Sequence, residues 1–372
     1  MLSTIALDTQ VLRPGLCTGC GACQGLCPYW GSVDGRTVCF FDCERRDGRC
    51  QRFCPRMPTD LDALRRQFFP ADSILPEIGP FRGLYLTRAA DPGIRAKAQH
   101  GGSMTALVEL ALAEGFLDAA VLTRSQGGLN PEGVLATTPE EVRVCSGSSF
   151  QIPPTLAVLN QALQENRYHS IGVVGTPCKT LAVYKMRANP LPDNDNHAGN
   201  IGMVFGLFCG WGLDWVGLKA LAAMHADPEA VCHIDIPPSK YHSMELQQGD
   251  ETISVNLDNV TPLVRSGCHY CADMTAEFAD LSIGGARSAD DWEIDKGWNQ
   301  VIVRSEKGEQ LLDLAQEKGV LEFKDVPETG LEKLKGASLG KKRTALKNLR
   351  QLTGSIQDLG YLTPSKDLFQ NM

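Results

Sequence analysis

The run Cys17-x2-Cys20-x2-Cys23-x3-Cys27-Pro28 lies near the start of the chain, followed by Cys39, Cys43, Cys50 and a second Cys-Pro pair, Cys54-Pro55. Thiolates at every third position of a tight loop reach one face of a [4Fe-4S] cubane, and the fourth ligand must come from elsewhere. In two-cluster proteins the Cys before Pro crosses to the other cluster. On that pattern Cys17, Cys20, Cys23 and Cys54 hold one cubane, and Cys27 joins Cys39, Cys43 and Cys50 in a second. Proline after the ligand turns the chain and removes an N–H that would need a partner. A structural zinc site is the alternative for the first run, but zinc sites rarely take this form. The second run is looser, with spacings of three, six and three residues, so Cys39 reads either as a ligand or as a plain thiol between Val38 and Phe40.

Four later cysteines stand in distinctive contexts: Cys178 in GTPCKT, Cys209 in GLFCGWG, and Cys268 and Cys271 in SGCHYCADMTAEFADLSIGG. Alone, Cys268-x2-Cys271 reads as a redox disulfide or half a zinc site, and Cys178 and Cys209 as inert buried thiols. Together they supply the number of thiolates one further cubane needs.

Around these residues, 372 positions with 43% apolar content exceed one ordinary domain. Fourteen cysteines in Cys-x2-Cys loops indicate metal ligation in a reducing, cytoplasmic setting rather than a disulfide framework. The N-terminus carries no signal-peptide pattern. The most apolar stretch, from Ile201, is interrupted by glycines and Asp214, so no integral membrane segment is expected. A net charge of −8 disfavours nucleic acid as a partner.

The expected organisation is a ferredoxin-type iron-sulfur module over 1–60, a proline-punctuated linker over 61–80 with a short helix at 60–68, and an α/β domain in two parts, 81–165 and 166–330. A basic tail follows at 331–372. Strands are predicted at 84–87, 119–123, from Ser170, from Ile201, at 231–236 and at 300–304. Helices are predicted at 103–114, 139–144, 154–165, through Val183 and Met186, and at 307–318. Cys178 and Cys209 then fall at the carboxyl ends of strands, where open α/β sheets place ligands. Gly101-Gly102-Ser103 opens a helix and reads either as an anion site at its N-terminus or as a turn that needs glycine. A G-x-G-x-x-G fingerprint in strand-turn-helix context is absent. Lys333, Lys335, Lys341, Lys342, Arg343, Lys347 and Arg350 read as a solvated helix or as a docking surface for an acidic partner or an anionic coenzyme tail.

The segments Gln99 to Thr123, Gly175 to Met186, Gly206 to Cys209 and Ser266 to Gly285, with the lysine-rich tail, resemble the coenzyme F420 hydrogenase/dehydrogenase beta-subunit family, which includes 7-hydroxymethyl chlorophyll a reductase. The resemblance spans residues 81 to about 350. It implies a mixed α/β flavin-binding domain carrying FAD, with a cubane on Cys178, Cys209, Cys268 and Cys271, and hence three [4Fe-4S] clusters in all. It also implies that Gly101, Gly102, Ser103, Met104, Thr105, Ser146, Gly147, Ser148, Thr176, Gly284 and Gly285 bind the flavin. Asp273, Thr275 and Glu277 order the cluster loop or touch the flavin ring, although Glu277 and Asp280 could equally pair on the surface. His100 and His269 adjoin these motifs without being required, since hydride chemistry at the flavin needs positioning rather than an acid-base side chain.

The implied activity is electron transfer between a hydride-carrying coenzyme, F420H2 or NAD(P)H, and a partner redox subunit or ferredoxin, as the electron-input subunit of a larger or membrane-associated complex. The rivals are a ferredoxin-dependent reductase of a small organic substrate and a non-catalytic electron-transfer module.

Overall fold

The computed structural model describes residues 1–125, 127, 129–189, 196–237, 241–287, 295–355 and 360–363. Its centre is an eight-stranded mixed sheet. In spatial order the strands are Leu321–Lys324, Gly83–Ala89, Asn299–Val303, Leu281–Gly285, Ile201–Leu207, Ile171–Gly175, Ala119–Ser125 and Pro131–Ala136. The four from Leu281–Gly285 to Ala119–Ser125 run parallel, and the outer strands are antiparallel to their neighbours. Ile171–Gly175 is buried at every position, as strands covered on both faces require. Helices Ser103–Ala113, Thr155–Glu165, Pro177–Ala188 and Glu306–Glu317 supply the covering layers.

The expected strands and helices appear within one or two residues of their predicted bounds, but the division at 165 is not a structural one. Strands from both sides of it interleave in the same sheet. A separate antiparallel sheet of Val231–Asp235, Ser243–Gln248 and Glu251–Asn256 packs over its own core of Leu218, Leu221, Met244, Leu246 and Val260.

The cysteine-rich N-terminal segment contains a hairpin, Trp30–Val33 with Arg36–Cys39, and short helices at Ser3–Leu7 and Arg49–Phe53. It is fixed to the α/β body by polar contacts. Asn160 donates to the carbonyls of Ala22 and Gln24, the latter at 2.7 Å. Lys185 donates to the carbonyl of Cys54 and to the Thr59 hydroxyl, both at 2.7 Å.

Two expectations need correction. Residues 61–80 are not a loose linker, because their helix Leu61–Phe68, capped by Asp60, buries Leu64 and Arg65, and Phe69 and Ile78 are also buried. Proline punctuates the segment without freeing it. Nor is the basic tail simply a solvated helix: Gly330–Thr353 is one helix that packs beside the turn at Ser266–Tyr270 and buries Leu334, Lys342, Ala345 and Leu349, Leu334 with Ile78 and Ile302 and Lys342 on Glu277. Arg343, Lys347 and Arg350 do remain exposed. Positions 356–359 and 364–372 of the expected tail lie outside the described residues.

Candidate functional site

Parallel neighbours Ile171–Gly175 and Ile201–Leu207 end side by side, so the segments leaving their carboxyl ends converge. Cys178 is the second residue of helix Pro177–Ala188, and Cys209 lies two residues beyond its strand. The chain then returns through Ser266–Tyr270 to bring in Cys268 and Cys271. The Gly212 N–H, three residues past Cys209, donates to the Cys268 sulfur at 3.3 Å, and Cys178 and Cys271 line one small cavity, so the four segments bring their thiols into one region.

The N-terminal thiols separate into two further groups. Cys23 senses Cys17, Cys20 and Cys54, whereas Cys50 senses Cys27 and Cys43, and Cys39 senses Cys27. The groups adjoin one another, since Cys23 also senses Cys50 and Cys20 senses Cys178 ahead of Cys54 and Cys17. All fourteen cysteines are free thiols. Among the described residues no three His, Cys, Asp or Glu side chains converge on the position of a single ion. The ligands of a cubane sit on separate corner irons and are necessarily wider apart.

Burial raises the thiols of Cys20, Cys23, Cys54 and Cys209 above their ordinary range and those of Cys50 and Cys268 to about 11. Burial opposes ionisation at Cys271 too, but Lys341 and Arg56 outweigh it and hold that thiol below its ordinary value. Lys341 donates to the Cys209 carbonyl at 2.5 Å. Arg56, buried, donates to the Gly267 carbonyl at 3.0 Å and stacks 4.3 Å from the Tyr361 ring centre. Backbone N–H groups of Gly212, Arg56 and Arg45 point at the sulfurs of Cys268, Cys54 and Cys43 at 3.3 to 3.4 Å. Cations and N–H donors of this kind are what a set of thiolates needs in a buried place.

Beneath the loop lies a charged cluster. Glu277 is buried and accepts from Arg65 at 2.6 Å and from Lys342. Burial would raise its pKa, but Lys342 and Arg65 bring it down to about 2. Asp273 accepts from the N–H groups of Thr275 and Glu277, each at 2.9 Å. Arg304, fully buried, donates to the carbonyls of Ile78 and Pro80 at 2.7 and 2.6 Å and to the Thr275 carbonyl at 3.0 Å. Asp280 accepts from the Val204 N–H at 2.7 Å and from Ser305. Asp273, Thr275 and Glu277 thus order the loop from beneath, and neither Glu277 nor Asp280 pairs on the surface.

On the other side of Cys209 opens a cleft of about 340 Å³. Gly102, Met104, Thr105, Ser146, Gly147, Ser148, Thr176, Gly284 and Gly285 line it. Gly101 and Ser103 do not. The Ser103 N–H, which an anion at the helix N-terminus would require, donates instead to Asn299 Oδ1 at 3.1 Å, and its hydroxyl lies 2.7 Å from that of Thr87. Gly102 turns into the helix at φ 78°, so the glycine-requiring turn explains much of this motif. At Gly284 a side chain is excluded, because a Cβ would lie 2.2 Å from the Phe208 ring. His100 also lines the cleft, and burial lowers its pKa, whereas the loop turn holds His269, whose carbonyl accepts from Asn348 at 2.8 Å.

Three further features suit the cleft to a small-molecule cofactor. Its volume falls within the ordinary range for small-molecule sites. The buried Gln151 Oε1 at its wall has no hydrogen-bond partner, so a donor on a ligand would satisfy it. Lys179, also at the wall, is buried with its Nζ on the Thr155 hydroxyl at 2.7 Å. Burial pushes its pKa down to about 8, against the nearby thiols of Cys178, Cys20 and Cys209. Sequence reasoning missed Gln151, Lys179 and the wall made by Val231–Ile234. Only Lys179 left a trace there, as a cation in the first turn of a helix directly after a candidate ligand. Among the described residues no helix is long and apolar enough to cross a membrane.

Residues 84–160 and 168–329 match the models for the N-terminal and C-terminal parts of the coenzyme F420 hydrogenase/dehydrogenase beta subunit. The chain is 32% identical to the coenzyme F420 hydrogenase subunit beta of Methanococcus voltae, over 73% of this chain and 95% of that one. It is 26% identical to a subunit of the F420H2 dehydrogenase of Methanosarcina mazei, over 87% and 88%. Among solved structures it resembles a chain of the F420-reducing [NiFe] hydrogenase complex from Methanosarcina barkeri, with a TM-score of 0.67, 26% identity and coverage of 74% of this chain and 94% of that one. The chain therefore belongs to the coenzyme F420 hydrogenase/dehydrogenase beta-subunit family.

Proposed function

We propose that this chain is an oxidoreductase subunit that moves electrons between a hydride-carrying coenzyme, F420H2 or NAD(P)H, and a partner redox protein. FAD would be held in the cleft, and three [4Fe-4S] clusters on the three thiol groups. One observation carries the reading: the groups stand in series. Cys27, of the outermost group, is exposed, Cys23 and Cys39 pack on the core that holds Cys50 and Cys54, Cys20 and Cys178 share the next core, and Cys209 lines the cleft. The relatives named as subunits of F420-dependent hydrogenase and dehydrogenase support the coenzyme and the place in a complex.

FAD would accept a two-electron hydride and release electrons singly, and cubanes carry one at a time. The chain's own residues supply the setting. Arg56 and Lys341 offset thiolate charge at the inner group, and the N–H groups of Gly212, Arg56 and Arg45 reach sulfur. Such hydrogen bonds and burial are the levers that set cluster potentials. Lys185 holds the carbonyl of Cys54, which fixes the spacing between the middle and inner groups.

Anaerobic purification followed by iron and flavin counting tests this. About twelve irons, three cubanes at about four each, and one FAD per chain are expected, with the flavin band bleached by F420H2, NADH or NADPH. A chain that binds no flavin refutes the reading.

A further inference from the structure

Lys179 occupies a place that nothing in the protein alone accounts for. It lies in the first turn of helix Pro177–Ala188, where the helix dipole disfavours a cation. It is 3% exposed, where an unpaired charge is costly. Its Nζ has neutral partners, the hydroxyls of Thr155 at 2.7 Å and Thr123 at 3.5 Å. Among the described residues its Nζ makes no ion pair with a carboxylate. Other cations near the candidate ligand thiols have partners of their own: Arg56 holds two carbonyls of the Ser266–Tyr270 turn, and the half-buried Lys341 holds that of Cys209. Lys179 alone of the three also lines the cleft, as do Thr176 and Gln151, whose buried Oε1 is an orphaned acceptor.

A hydride brings two electrons and one proton, so its transfer from a reduced coenzyme to a neutral isoalloxazine ring leaves one net negative charge on the ring. We infer that Lys179 is the positioning cation that holds this charge and thereby sets the potential of the flavin against the inner thiol group. The inference rests on the proposal that FAD occupies the cleft. A purely structural lysine, tying helix Pro177–Ala188 to Thr155, would leave that potential unmoved.

The test compares the holo-chain with Lys179→Gln and Lys179→Arg, prepared anaerobically. Iron and FAD per chain are counted, and the flavin midpoint potential is measured by dye-coupled redox titration. Lys179→Gln should keep wild-type iron and lose about tenfold or more in its preference for reduced over oxidised FAD, a drop of about 30 mV for a two-electron couple. Lys179→Arg, which keeps the charge, should stay within about threefold of wild type. If Lys179→Gln sheds its FAD, the same preference is read from its dissociation constants for oxidised and dithionite-reduced FAD. An unchanged preference in Lys179→Gln overturns the inference, as does a loss in Lys179→Arg equal to that in Lys179→Gln. A wild-type chain without FAD instead refutes the proposed function, and the inference falls with it.

Discussion

Replacing Glu277 by Gln should loosen the contact among three parts of the chain at once. Glu277 joins Arg65 of the segment after the cysteine-rich module to Lys342 of the C-terminal helix, from a loop that follows Cys271. Its side chain is 1% exposed, so solvent screens little of the interaction. Its pKa is about 2 in the folded protein against an ordinary 4.5, a difference worth about 3 kcal/mol. Removing one member of a buried ionic group costs about 3–5 kcal/mol, because its partners stay buried without their counter-charge. Both routes give a loss of several kcal/mol, a large part of a typical total stability. Because the folded pKa is depressed, this stabilisation is complete above pH 4.5 and disappears as pH falls toward about 2. A chain with several cofactors need not unfold in one step, so the assay is urea unfolding of wild type and Glu277→Gln followed separately by tryptophan fluorescence and by cluster absorbance, at pH 7 and pH 5. The variant should unfold at clearly lower urea by both signals. A variant within about 0.5 kcal/mol of wild type, the range of ordinary surface substitutions, would refute the reasoning.

Cys178→Ala should remove about four irons per chain and leave the other clusters' electron paramagnetic resonance signals in place, since one cubane holds four irons; unchanged iron would mark Cys178 as an ordinary core thiol. Cys39→Ala is expected to remove about four different irons, read by the same iron assay, and an intact count would return Cys39 to the role of a plain thiol. Gly284→Ala should lower FAD occupancy while sparing iron, because its Cβ meets the Phe208 ring at 2.2 Å and overpacking there costs about 1–3 kcal/mol; flavin released by acid precipitation gives the measurement. Arg304→Met should lower the urea midpoint, since the carbonyls of Pro80 and Thr275 lose a buried charged donor and that of Ile78 keeps only the Thr275 hydroxyl, at about 1.5–3 kcal/mol for a hydrogen bond to a charged group.

Much of this protein is local and was therefore legible in its residues. The helix at Ser103–Ala113 and the strands at Ala119–Ser125 and Ile171–Gly175 follow from periodicity and bounding turn residues. The positions of Cys178 and Cys209 past neighbouring strand ends follow from the same alternation. The Cys-x2-Cys-x2-Cys loop places three thiols together by its own short length. Contacts that need distant chain to meet distant chain were not legible. The shared core of Cys20 and Cys178 and the loss of the Ser103 N–H to Asn299 each join residues far apart in sequence. The burial of Lys342 is of the same kind: charge type alone marks it as solvated, and only the buried carboxylate of Glu277, brought from another segment, makes its burial tolerable. Spacing determined which thiols could act as ligands, because short loops constrain their own geometry. Tertiary packing decided that Cys27 stays exposed and that Cys209 and Lys179 line the cleft, because burial and charge pairing are properties of the assembled chain.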